Sequence, residues 1–169
     1  MSSRMSPGPA PGVPARPIRL GGADDLDAVI RVMNAAFAPG FGERWTRSQC
    51  AGILPMSGVM LRLAGDPGAP PLGFSLMRIV ADEAELLLIA VDPKAQRRGI
   101  GQALLDDFMA QARGGGAIRF HLEVRDGNPA VAMYGAAGFA AAGRRANYYH
   151  GPDGEHYDAI TLVMADRIS

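Results

Sequence analysis

The chain has 169 residues, enough for one domain around one core, and its 48% apolar and 20% charged residues are an ordinary globular composition. Seventeen basic residues balance seventeen acidic ones, and a net charge of zero argues against a broad nucleic-acid surface. The longest apolar run, Leu86–Val91, is strand-sized, so no segment is long enough to span a bilayer as a helix.

Met1–Pro17 is rich in Pro, Gly, Ser and Ala and lacks the apolar centre of a signal peptide, which predicts a disordered tail and a cytoplasmic protein. One domain is expected over 18–169. Ile18–Leu20 reads as a strand. Leu26, Val29, Ile30, Met33 and Phe37 recur at helical spacing and predict a helix over Ala23–Phe37, stopped by Pro39 and Gly40. Thr46 caps a second predicted helix to about Leu54. Val59–Ala64 and Leu72–Val80 read as strands joined by a Gly-Asp-Pro-Gly turn. Glu85–Val91 is almost wholly apolar, the signature of a central strand covered on both faces.

Gly99–Arg113 is an amphipathic helix, with Ile100, Leu104, Phe108 and Ala112 spaced by four. In the strand Ile118–Val124, the apolar residues 118, 120, 122 and 124 alternate with Arg119, His121 and Glu123. Asn128-Pro129 starts a helix that ends at Gly138. Phe139–Tyr149 and Tyr157–Ala165 close the chain as two strands about a Gly-Pro-Asp-Gly turn. The order βααβββαβαββ predicts an α/β mixed sheet with helices on both faces.

Cys50 is alone, so no internal disulfide forms, and a small buried apolar role suits it better than a reactive thiol. His121, His150 and His156 follow no ligand spacing, and no metal site is expected.

Gln96-Arg97-Arg98-Gly99-Ile100-Gly101 lies between a buried strand and a strong helix. The glycines let backbone approach a ligand, the helix start offers N–H groups, and two arginines add charge, so the segment suits a pyrophosphate. The glycines alone fit an ordinary loop equally well. A dinucleotide site is disfavoured, because Leu104 replaces the third glycine and the loop from Val91 is long. A P-loop is excluded, since no Gly-Lys-Ser or Gly-Lys-Thr follows.

Ile89-Ala90-Val91-Asp92-Pro93 with Gln96–Leu105 resembles the acetyl-CoA motif of the GCN5-related N-acetyltransferases (GNAT). Leu122-Glu123-Val124-Arg125, Asn128, Met133-Tyr134 and Gly138-Phe139 resemble the later motifs of that family. Leu122-Glu123-Val124-Arg125, Arg144-Arg145-Ala146-Asn147-Tyr148-Tyr149 and Asp158-Ala159-Ile160 are more closely similar to the ribosomal-protein-alanine N-acetyltransferase (RimI type) branch. One departure is that Asn128 stands six residues before Tyr134, where the pattern has seven.

The resemblance implies the GNAT fold, a mostly antiparallel mixed sheet with splayed central strands. It implies acetyl-CoA held by Ile89, Ala90 and Val91 along the pantetheine arm. Arg97, Arg98, Gly99, Ile100, Gly101, Gln102 and Ala103 would take the phosphates, and Asn128 would bond the arm or cap its helix. It implies direct attack by an amine, which needs a base and an acid. Glu123 is the base candidate and Tyr134 the acid. From the residues alone, Glu123 reads better as a surface carboxylate paired with Arg119 or Arg125, and the resemblance turns the reading to the base. Tyr148 or Tyr149, on opposite faces of their strand, and Trp45 are candidates for the acceptor groove. The implied acceptor is a protein or peptide N-terminus, a ribosomal protein among the possibilities, and the expected assembly is a monomer or weak dimer. A small-molecule amine as acceptor and a non-catalytic CoA-binding module stay open as other readings.

Overall fold

A computed structural model describes residues 17–166. The expected tail therefore lies almost wholly outside the described residues. The elements follow the predicted order: β1 Ile18–Leu20, α1 Leu26–Ala36, α2 Arg47–Ile53, β2 Val59–Ala64, β3 Gly73–Val80, β4 Glu83–Val91, α3 Ile100–Gly114, β5 Arg119–Arg125, α4 Ala130–Ala136, β6 Ala140–His150 and β7 His156–Ala165. The start of the first predicted helix, Ala23–Asp25, is a 3₁₀ turn instead. Two acidic residues and Gly22 there favour a tight entry over a full α turn.

Seven strands form one sheet in the order β1-β2-β3-β4-β5-β7-β6, and β4 with β5 is its parallel pair. Two cores lie on opposite faces. Leu26, Val29, Val32 and Met33 of α1 pack on Leu61, Leu63, Phe74, Leu76 and Leu88. Leu105, Phe108 and Met109 of α3 pack with Met77, Leu86, Phe120 and Leu122. Arg62 of β2 ties to Asp107 of α3 through two hydrogen bonds of 3.0 Å. Arg44 donates to the carbonyls of Asn34 and Phe37, closing the C-terminal turn of α1.

An irregularity in β4 shapes the site. Leu86 pairs with Met77 but Leu88 pairs with Leu76, so Leu87 is an extra residue. Such a bulge reverses which side chains face which side. Ala84 and Leu86 accordingly join the α3 core, whereas Leu88 and Ala90 join the α1 core. Pairing between β4 and β5 runs from Glu83–Arg119 to Leu86–Leu122 and stops there, although both strands continue. The sheet splits at the bulge, and the split is the expected splay.

Candidate active site

Two adjoining hollows occupy this split. The larger, about 680 Å³, is lined by Ile89–Val91, by Gln96, Arg97 and Gly99–Gln102, and by Asn128, Pro129, Ala130 and Met133 of the α4 region. The smaller, about 100 Å³, is lined by Leu86–Ile89, Leu122–Val124, Tyr134 and Tyr149. Phe37, Glu43, Ile89, Asn128 and Ala130 line both.

The glycine segment shapes one end of the groove. Gly99 takes φ +76° at the cap of α3, and Arg97 takes φ +65°, a left-handed conformation that costs a non-glycine residue on the order of 1 kcal/mol. Together they turn the chain so that α3 begins at the groove. The first α3 bond shown runs from the Ala103 N–H to the Gly99 carbonyl. The preceding N–H groups have no partner within the helix and are available to an anion. Gly101 faces the groove between Val91 and Met133. Arg98 is exposed and Ala103 half-buried, and neither lines the groove.

The smaller cavity is a side-chain site. The Glu123 carboxylate is only 12% exposed. Its Oε2 accepts from Thr161 Oγ1 at 2.7 Å and its Oε1 lies 3.1 Å from Arg145 Nε. The expected pairing with Arg119 or Arg125 is corrected: Arg119 turns to Asp82 and Arg125 to Glu43, leaving Glu123 to a cation from β6. Tyr134 is buried and meets Phe139 edge-on. Burial first, and then the charge of Glu43, raise its pKa above 10.0, so its hydroxyl keeps its proton. Tyr149 is raised in the same way, chiefly by burial, and its hydroxyl lies 3.4 Å from the Glu123 carbonyl.

Asn128 does what its place before a proline suggests. Its Oδ1 accepts from the Ala130 N–H at 2.9 Å, capping α4, and its Nδ2 donates to Glu43. Of the two adjacent tyrosines, Tyr149 lines the cavity, while Tyr148 is 45% exposed and stacks on it edge-to-face. Trp45 lines neither hollow. It packs on the α1–α2 core, and its backbone N–H donates to Met33 Sδ. His121 lies 3.6 Å from Glu85 and also lines neither hollow. Cys50 is buried, and burial pushes its thiol pKa up, as befits an inert core residue.

The sequence reading passed over Glu43 and Thr161 and did not foresee that Arg125 is buried. Glu43 sits in the loop after α1 with no motif around it, so only the fold brings it to the site. Thr161 had a weak signal: it stands opposite Glu123 in the β5–β7 register. Among the described residues, no group of three or more His, Cys, Asp or Glu is placed to hold a metal ion, and no helix is long and apolar enough to cross a membrane.

The split mixed sheet, with a glycine-turned helix start opening into it, defines an α/β protein built around a groove at the start of α3. The chain belongs to the Acetyltransferase (GNAT) family, whose family model matches residues 28–139, more than half of the chain. The [ribosomal protein bS18]-alanine N-acetyltransferase of Salmonella typhimurium is 42% identical over 92 residues, which are 54% of this chain and 62% of that relative. The N-alpha-acetyltransferase RimI of Mycobacterium tuberculosis is 42% identical over 88 residues, 52% of this chain and 51% of that protein. The chain thus spans under two thirds of the curated relatives it matches. Among solved structures, the ribosomal-protein-S18-alanine N-acetyltransferase of Escherichia coli superposes with a TM-score of 0.80 at 31% identity, over 91% of this chain and 96% of that one. Ard1 from Thermoplasma volcanium gives a TM-score of 0.75 at 26% identity, over 91% and 99%.

Proposed function

We propose that this chain transfers the acetyl group of acetyl-CoA to the N-terminal α-amine of a protein, with alanine-starting ribosomal proteins as the acceptor class. The observation that carries the reading is that the two hollows adjoin. They share Phe37, Glu43, Ile89, Asn128 and Ala130, and the smaller one is lined by a buried carboxylate, Glu123, and a buried phenol, Tyr134. The similarity to alanine N-acetyltransferases supports the choice of acceptor.

The groove residues fit the cofactor. Val91 and Gly101 leave a narrow channel between β4 and α4, and the start of α3 faces the groove mouth beside Arg97. Bound there, acetyl-CoA supplies an activated thioester. Glu123, held by Thr161 and Arg145, takes the proton of the incoming ammonium so that a neutral amine attacks. Tyr134, kept protonated by burial, holds the proton that the departing sulfur needs. No side chain has to form a covalent bond with the acetyl group.

The test is incubation of the protein with acetyl-CoA and a panel of peptides with different N-termini, alongside small amines, with free thiol and peptide mass as readouts. Acetylation of alanine-starting peptides is the expected result. Thiol release with small amines alone would move the acceptor class, and cofactor binding without release on any amine would remove the catalytic reading.

A further inference from the structure

The loop between α1 and α2 carries a carboxylate that the acid–base pair does not use. Glu43 is 8% exposed, less than Glu123 itself, and lines both groove and cavity. Its Oε1 accepts from Arg125 Nε at 3.0 Å and its Oε2 from Asn128 Nδ2 at 2.9 Å. Arg125 lies two residues beyond Glu123 on β5. Asn128 in turn accepts from Ala130, the first residue of α4, the helix that bears Tyr134. One side chain therefore links a loop, the strand of the base and the helix of the acid, at the point where the two hollows meet.

Docking the loop does not require that carboxylate. Phe41 meets Tyr157 edge-on at 5.1 Å and lies 3.7 Å beneath the Arg125 guanidinium. Gly42 abuts the His150 carbonyl and Gly151 abuts the Gly40 carbonyl so closely that neither has room for a Cβ. These contacts already fasten the loop to the β6–β7 hairpin. A buried carboxylate is costly, and apolar groups hold a loop as well. Its placement is better explained by what it orients.

Resting on the acid–base reading above, we propose that Glu43 is a positioning residue that sets the Glu123 strand against the Tyr134 helix where the cofactor groove meets the acceptor cavity. Its charge also adds to burial in keeping Tyr134 protonated. Misplacing reacting groups by about 1 Å costs on the order of a hundredfold in rate. Loss of this link should therefore lower kcat and spare the binding of acetyl-CoA, which rests on backbone.

The experiment compares wild type with Glu43→Gln, Glu43→Asp and the double variant Glu43→Gln/Arg125→Met, which removes both buried charges together. Steady-state rates, the Kd for acetyl-CoA, thermal melting and hydrogen exchange of residues 128–136 are read in parallel. For Glu43→Gln the expected result is a fall in kcat of about tenfold to a hundredfold at nearly unchanged Kd, by the same misplacement argument. Exchange in α4 should be faster and in α3 unchanged. Glu43→Asp should recover part of the rate, whereas the double variant should recover melting but not kcat. Unchanged kcat in Glu43→Gln, or full recovery of kcat together with melting in the double variant, overturns the proposal. If wild type acetylates no amine at all, the functional reading fails, and exchange alone then decides: α4 as protected in Glu43→Gln as in wild type overturns the link.

Discussion

The groove and the smaller cavity share lining residues, yet they are made of different material. The groove draws one end from Gln96, Arg97 and Gly99–Gln102 and a wall from Ile89–Val91, close neighbours in the chain, two of them glycines. The cavity draws Phe37 from α1, Glu43 from a loop, Leu122–Val124 from β5, Tyr134 from α4 and Tyr149 from β6, and works through side chains. A backbone site is sensitive to added bulk and indifferent to most side-chain chemistry. A side-chain site is the reverse. The two regions should therefore fail in different measurements when altered.

The largest expected effect is in the cavity. Tyr134→Phe keeps the ring against Phe139 and removes the proton donor, so kcat should fall by about a hundredfold or more, with the Kd for acetyl-CoA within about twofold. Glu123→Gln should fall by a similar factor. Steady-state thiol release and calorimetric titration of acetyl-CoA check both, and parallel losses in kcat and affinity would erase the distinction between the regions.

Next in size is a change that belongs to neither region. Asp107→Ala leaves the half-enclosed Arg62 guanidinium without its partner, and breaking such a pair costs about 3 kcal/mol. Urea unfolding should show this loss while kcat below the melting temperature stays near that of wild type.

In the groove, Gly101→Val adds bulk where an extra Cβ meets only Met133 Sδ at 3.5 Å and Val91 Cγ2 at 3.7 Å, ordinary contacts for the fold. Its branches fill the channel instead. The Kd for acetyl-CoA should rise by about tenfold or more, or about 1.4 kcal/mol, with melting little changed. Equal affinity in this variant would mean that the cofactor does not pass between β4 and α4.

The smallest effect is a pH dependence. The pKa values of Tyr134 and Tyr149 are raised on folding, so their neutral forms are favoured in the native state. The stability that goes with this is full below the ordinary value of 10.0 and declines as pH rises above it. Unfolding midpoints taken from neutral pH to above 10.0 should fall in wild type, and fall less in Tyr134→Phe and Tyr149→Phe.

The same contrast explains what was legible in the sequence. The groove could be read because its parts are adjacent: an apolar strand, two glycines, two arginines and an amphipathic helix all fall within Glu85–Arg113. The order of elements along the chain could be read because each helix and strand kept its period. Glu123 stood out by alternating with Phe120, Leu122 and Val124, but its partner Arg145 lies on another strand and was not foreseen. The bulge at Leu87, which sets where the sheet splits, has no marker in a run of leucines. Glu43 was invisible for a related reason. An acidic residue in a glycine-containing loop looks solvated, and its burial depends on Arg125 and Asn128, more than eighty residues away. Trp45, an aromatic beside a cap, had the look of a groove wall, yet it packs on the α1–α2 core.

If the groove holds acetyl-CoA while Glu123 takes a proton from an N-terminal amine and Tyr134 gives one to the leaving sulfur, a single assay shows it: mass spectrometry of an alanine-starting peptide after incubation with acetyl-CoA and wild type, Glu123→Gln or Tyr134→Phe. One acetyl group on the α-amine is expected with wild type and almost none with either variant, although all three bind acetyl-CoA. Equal acetylation by the variants, or no acetylation of any N-terminus by wild type, would contradict it.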